Sequence, residues 1–173
     1  MQSLAYSVMP AMFTQMKKSN YSLIQSFRFA ISGIIYALMH ERNLRIHFTL
    51  AAFVIYFARY YNFSRGEQAT LFLVAGFVIA CELINTAIET TVDLESPKWN
   101  ALAKLAKDVA AGAVLISGIT SVIVAVVLFW QPEILAEILC DIAQNPIAWI
   151  LVLLIAVAWI FIPLQPHKSY PQK

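Results

Sequence analysis

Charge is scarce in this chain. Only 13% of its 173 residues are Asp, Glu, Lys or Arg, while 60% are hydrophobic; a soluble domain usually carries ~25% charge. The remaining charges are bunched, with long apolar runs between them, so an ordinary soluble surface is excluded and a membrane is the first environment to consider. Glycine is sparse too, confined to Gly33, Gly66, Gly76, Gly112 and Gly118. That spacing leaves neither a GxxxxGK[ST] nor a GxGxxG segment, so no glycine-rich phosphate cradle is present. The two cysteines, Cys81 and Cys140, are far apart and form no CxxC pair. Neither a disulfide framework nor a zinc site follows from them. Net charge is only +2 and no basic cluster occurs, which argues against nucleic acid as a partner. Residues 1–20 lack the positive start, apolar core and small-residue cleavage site of a secretory leader.

What is present is a series of helical segments. Residues 1–20 read as an N-terminal extension ending in Lys17-Lys18. From Tyr21 to His40, Leu23, Phe27, Ala30, Ile31, Ile34 and Ile35 fall on one side of a helix. Its polar start predicts an amphipathic helix lying on the membrane surface. Apolar runs follow at Ile46–Tyr61, Gln68–Asp93 and Val109–Trp130. The first is short, since a span takes ~20 residues. Arg45 and Arg59 flank it, and guanidinium groups that reach to the headgroups relax that limit. In Gln131–Asn145, Glu133, Glu137 and Asp141 repeat every fourth residue opposite Ile134, Leu135, Ile138 and Ile142, the pattern of a second surface helix. Ile147–Leu164 carries no charge and reads as a fourth span, with Trp149 and Trp159 as interface anchors. The expected fold is therefore an all-α integral membrane protein. It has an N-terminal interfacial helix, a three-helix membrane core within residues 21–130, and a C-terminal extension, 131–173, with a fourth transmembrane helix.

Positive charge sets the orientation. Placing the N-terminus in the cytoplasm puts Lys17, Lys18, Arg28, Arg42, Arg45, Lys98, Lys104, Lys107, Lys168 and Lys173 on that side. Of the twelve Lys and Arg residues, only Arg59 and Arg65 lie on the other. Basic residues concentrate on the cytoplasmic side of membrane proteins, so this orientation is the expected one.

The second span carries an anomaly. At 100° per residue, Asn85, Glu89 and Asp93 lie at about −60°, −20° and +20° from Glu82, so the four share one stripe. Glu82 sits about 16 Å up the helix from Asp93. Inserting a carboxyl at such depth costs on the order of 2–3 kcal/mol or more, so it must be partnered, ligated or protonated, and it marks a functional site. Two further polar segments can face the stripe: Glu41-Arg42-Asn43-Leu44-Arg45 before the first span, and Lys104-Leu-Ala-Lys107-Asp108 before the third. The small residues Ala110-Ala111-Gly112-Ala113 follow and allow close helix approach. Carboxylates, an Asn and a Lys at one membrane face suit a divalent cation together with phosphates. The residues alone reach a polar catalytic or transport site in a small helical bundle. A non-catalytic scaffold or accessory subunit, and a transporter using Glu82 as its coupling acid, are the readings from other classes.

Three strings carry a resemblance: His40-Glu-Arg-Asn-Leu-Arg-Ile-His47, Glu82-Leu-Ile-Asn-Thr-Ala-Ile-Glu89 with Val92-Asp93, and Ala106-Lys-Asp-Val-Ala-Ala-Gly-Ala-Val114. In order and spacing they resemble the prokaryotic diacylglycerol kinase family, over about residues 20–130. Around Glu41, Asn85 and Asp108 they are closer to its undecaprenol kinase branch. The resemblance implies a homotrimer in the bacterial inner (plasma) membrane, with a composite active site facing the cytoplasm. It implies ATP as phosphate donor, Mg²⁺ as cofactor, and a membrane lipid alcohol as acceptor: undecaprenol, or alternatively diacylglycerol. Glu82 is implied as the general base. Glu41 and Glu89 are implied as Mg²⁺ carboxylates, and Asn85, Asp93, Lys107 and Asp108 as nucleotide-positioning residues with them. Lys98 and Asn100 fall in the loop implied beside the adenine, and Arg45 and Ala111, with Glu82, on the lipid-substrate side. A phosphate-contacting arginine of the diacylglycerol branch falls near Ser22, and Arg28 is the nearest candidate.

Overall fold

The computed structural model describes residues 22–161. The N-terminal extension with Lys17-Lys18, and the end of the fourth apolar run beyond Phe161, lie outside the described residues. The described residues form six helices and no strand: α1 (Leu23–His40), α2 (Arg42–Ala58), α3 (Arg65–Glu95), α4 (Ala101–Phe129), α5 (Pro132–Gln144) and α6 (Pro146–Phe161). The all-α membrane architecture expected from the sequence is the one observed.

The chain divides into two units, 1–33 and 34–173. The described part of the first is the opening of α1. Ser22 Oγ accepts from Gln25 N–H at 3.3 Å while Gln25 Oε1 accepts from Ser22 N–H at 3.0 Å. This reciprocal pair satisfies two of the amides that a helix start leaves without partners.

In the second unit, α3 and α4 form the longest hairpin. The start of α3 is fixed by a full capping box between Ser64 and Glu67. The start of α4 is fixed by Asn100, whose Oδ1 accepts from Leu102 N–H at 2.9 Å and Ala103 N–H at 3.4 Å. With 31 and 29 residues, they run about 46 and 43 Å, against ~30 Å of bilayer hydrocarbon. Both therefore project beyond the apolar layer. Helix α4 begins before the apolar run at 109 because Lys104 and Lys107 end the apolar stretch without breaking the helix.

By length and composition α1, α3 and α4 can each cross a membrane, and α5 with α6 would make a fourth span if taken together. Length does not separate the expected surface helix from the expected span: α1 has 18 residues and α2 has 17. Arg28 is the single Arg, Lys, Asp or Glu in α1, which keeps it apolar enough to span. α2 packs along α3 and α6. α5 and α6 meet at 96°. Pro146 starts α6 as a new helix because its ring fits a first turn and cannot continue the preceding one. The expected amphipathic helix and the apolar helix after it are thus distinct elements.

The main apolar cluster lies at the Arg65 end of α3. Tyr61, Phe63, Leu71 and Ile138 are buried there against Val54, Phe57, Phe129 and Ile134. The Tyr61 and Phe63 rings stack with centroids 5.0 Å apart, and Phe129 meets both edge-on. The Tyr61 hydroxyl donates to the Phe129 carbonyl at 3.0 Å. Beyond α2, Tyr60 donates to the Asp141 carboxylate on α5. An aromatic, polar-tipped cluster of this kind suits a membrane–water boundary.

Candidate active site

The opposite end of α3 carries the polar stripe. Glu82 is 2% exposed and Asn85 8% exposed, both deep for polar groups in an apolar bundle. Threonines on the same helix satisfy themselves locally. Thr86, Thr90 and Thr91 donate to the carbonyls of Glu82, Thr86 and Ala87 at 3.0, 2.8 and 2.8 Å. They neither compete for the stripe nor leave buried hydroxyls unpaired.

One turn along, Asn85 Nδ2 donates to Glu89 Oε1 at 2.9 Å. The pairing follows directly from i,i+4 spacing on one face. Asn85 Oδ1 is buried and has no hydrogen-bond partner. A buried amide oxygen without a donor is costly in a folded protein and is a natural acceptor for a ligand. At the projecting end of the hairpin, Lys107 Nζ lies 2.5 Å from Asp93 Oδ1, joining α4 to α3.

The α1–α2 junction closes the site from the other side. Glu41 is the non-helical residue before α2. Its carboxylate and that of Glu89 both act electrostatically on Glu82, and the Asn43 side chain lies close to it. The structure therefore brings Glu41, Glu82, Asn85 and Glu89 into one neighbourhood, with Asp93 and Lys107 paired further along. Among the described residues no three His, Cys, Asp or Glu side chains converge closely enough to hold a metal by themselves. A divalent ion here would need oxygen atoms from a ligand in addition to Glu41 and Glu89. Mg²⁺ bound by one or two carboxylates and phosphates has that requirement.

Arg45 departs from the expectation that it reaches the headgroups. It is 4% exposed, its Nη1 donates weakly to the Met39 carbonyl at 3.5 Å, and its Nε has no partner. The guanidinium folds back toward the α1–α2 turn rather than out, the direction helical side chains favour. Asn100 is committed to capping α4 through its side chain. Lys98, Asp108 and Ala111 are exposed, and Asp93–Lys107 is the ion pair found between α3 and α4 among the described residues. Asn43 is the residue that sequence reasoning did not single out. It stands in the Glu41–Arg45 string, and only the packing of α2 against α3 reveals its contact with Glu82.

Residues 28–129, more than half of the chain, match the family described as prokaryotic diacylglycerol kinase. A diacylglycerol kinase of Synechocystis is 42% identical over 112 residues, covering 64% of each chain. An undecaprenol kinase of Bacillus subtilis is 40% identical over 105 residues, 61% of this chain and 85% of the relative. A diacylglycerol kinase of Pseudomonas aeruginosa is 32% identical over 91 residues, 53% of this chain and 74% of the relative. The chain thus spans just under two thirds of the Synechocystis relative and most of the Bacillus one. The family match ends at Phe129, so α5 and α6 lie beyond it.

Proposed function

The chain belongs to the prokaryotic diacylglycerol kinase family, and from that membership we propose that it is an ATP-dependent lipid kinase of the bacterial inner membrane. It transfers the γ-phosphate to the hydroxyl of undecaprenol; diacylglycerol is the alternative acceptor. The observation that carries the reading is the buried Glu82 carboxyl, with Glu41, Glu89 and Asn43 near it.

In this reading Glu82 takes the proton from the lipid hydroxyl. The hydroxyl oxygen forms a bond to the γ-phosphorus, the bond from that phosphorus to the β-bridging oxygen breaks, and ADP leaves. Phosphoryl transfer asks a protein chiefly to position its reactants and to neutralise charge. The Asn43 amide orients the Glu82 carboxyl. The unpaired Asn85 oxygen accepts from the nucleotide, while its amide holds Glu89 in place. Lys107, tethered to Asp93, supplies positive charge beside the phosphates. Glu41 and Glu89 would hold Mg²⁺, which would supply neutralisation of the phosphate charge facing the incoming oxygen. Asp108, Lys98 and Asn100 lie on the nucleotide side, and Arg45 and Ala111 on the lipid side. With the N-terminus inside, the site faces the cytoplasm, where ATP is; a homotrimer would let neighbouring chains complete it. The kinase core is residues 21–130, flanked by extensions at 1–20 and 131–173.

The test is phosphate transfer from radiolabelled ATP by the purified full chain in bilayers, offered undecaprenol and diacylglycerol in parallel, with and without Mg²⁺. Labelled undecaprenyl phosphate supports the reading, and preferential labelling of diacylglycerol moves it to the alternative acceptor. A well-folded preparation that labels neither lipid would overturn the kinase assignment.

A further inference from the structure

A groove between α2 and α6 takes no part in the site described above. It encloses about 720 Å³, within the ~300–1,000 Å³ of ligand-sized pockets. Phe48 and Phe53 on α2 face Val152, Ile155 and Trp159 on α6 across it. The helices meet at its two ends. Trp149 packs against both Tyr56 and Phe57 with ring centroids 5.5 Å apart, and Arg42 lies 5.7 Å over the Phe161 ring at the other. Between those contacts Ala52, Ala148 and Ala156 supply too little side chain to fill the gap. From Asn145 to Trp159 the groove follows α6 for about 21 Å. That exceeds the ~15 Å hydrocarbon depth of one leaflet, half of a ~30 Å core.

One end of the groove is polar. Asp141 and Asn145 line its mouth. Next to them is Arg59, exposed and held over the Tyr56 ring at 3.9 Å. Arg59 Nη2 donates to the Tyr56 and Tyr60 hydroxyls at 2.5 and 3.2 Å, and Tyr60 in turn donates to Asp141. A guanidinium has five donors, so Arg59 keeps several for a ligand. A fixed cation and a fixed carboxylate thus share the mouth of an apolar channel about as long as a lipid tail.

We propose that this groove is a binding site for a zwitterionic aminophospholipid, with one acyl chain along α2 and α6, its phosphate on Arg59 and its ammonium on Asp141. The apolar walls and length fit an alkyl chain. The paired charges select the headgroup: Asp141 repels a purely anionic lipid and attracts one that ends in an amine. The site opens at the end of the bundle away from Glu82, and α6 lies outside the residues matched to the family. It is therefore separate from the acceptor lipid of the proposed reaction and does not rest on that reading.

The experiment uses the full chain in phosphatidylcholine nanodiscs. These contain a trace of phosphatidylethanolamine or phosphatidylglycerol bearing a photoreactive group on one acyl chain, and adducts are mapped by peptide mass spectrometry. Ethanolamine-probe adducts are expected on 48–56 and 148–159, in excess over those on the lipid-facing part of α4. Ala156→Trp should lower them about tenfold, the loss that ~1.4 kcal/mol of chain packing corresponds to. Asp141→Asn, at the half-exposed mouth, should abolish the preference for the ethanolamine probe while adducts persist; it decides the matter if Ala156→Trp fails to fold. Equal labelling of α4 and the groove segments, or a headgroup preference unchanged by Asp141→Asn, would overturn the proposal. So would cross-linking of these segments to a second copy of the chain in place of lipid.

Discussion

The ammonium of Lys107 lies 2.5 Å from the Asp93 carboxylate, across the loop that joins α3 to α4. Both partners are partly exposed, at 32% and 67%, so the pair contributes little to stability, ~0–1 kcal/mol for ion pairs of this kind. Its value in the proposed reaction is placement of a cation beside phosphates. Lys107→Met should leave the thermal unfolding midpoint nearly unchanged. Phosphate transfer should fall by about 10² or more, as when a transition-state charge contact is removed. A large loss of thermal stability with proportionate loss of activity would recast Lys107 as structural.

Glu82→Gln keeps the side chain's shape and removes its negative charge. The expected outcome is a folded protein that binds nucleotide normally but transfers phosphate slower by about 10² or more, the usual worth of a general base. Binding is read by nucleotide fluorescence and rate by lipid phosphate. Wild-type turnover in this variant would remove Glu82 from the proton transfer.

Asn85 separates stability from activity. Its unpaired buried oxygen costs roughly 1–3 kcal/mol in the unliganded protein. Asn85→Leu should therefore raise or preserve resistance to unfolding while abolishing phosphate transfer. A destabilised variant would mean that the Asn85–Glu89 hydrogen bond outweighs the unpaired oxygen.

At the other end of the bundle, Tyr61→Phe removes the hydroxyl that reaches the Phe129 carbonyl. That carbonyl keeps a bond from Gln131 N–H at 2.8 Å, so the loss should be about 1 kcal/mol. Reversible denaturant titration in micelles measures it. Kinase activity should be unchanged, because Tyr61 lies in the cluster remote from Glu82.

The stripe from Glu82 to Asp93 was legible because helical period alone brings its members to one face. Helix ends were less so, because apolarity marks where a bilayer stops and capping marks where a helix stops. Ser64 with Glu67, and Asn100, place the starts of α3 and α4 outside the apolar runs. The sharp turn before α6 depends on Pro146, which a hydropathy reading passes over. Arg45 illustrates the remaining gap. Sequence gives it a long side chain beside a membrane boundary, and only the packing of the α1–α2 junction decides that it folds inward. The contact between Asn43 and Glu82 joins separate helices and carries no periodic signature.

The length of α3 acts as a depth gauge. From its Arg65 start, beside the aromatic cluster, Glu82 stands about 25 Å along a continuous helix, close to the opposite edge of ~30 Å of hydrocarbon. A rod capped at one boundary fixes the height of the Glu82 carboxyl, the base of the proposed reaction, against the plane of lipid hydroxyls at the other. In the proposed reaction, bilayer thickness would then control the rate. A thicker membrane draws the carboxyl below the hydroxyls and a thinner one lifts it above them, so turnover in a series of acyl-chain lengths should pass through an optimum.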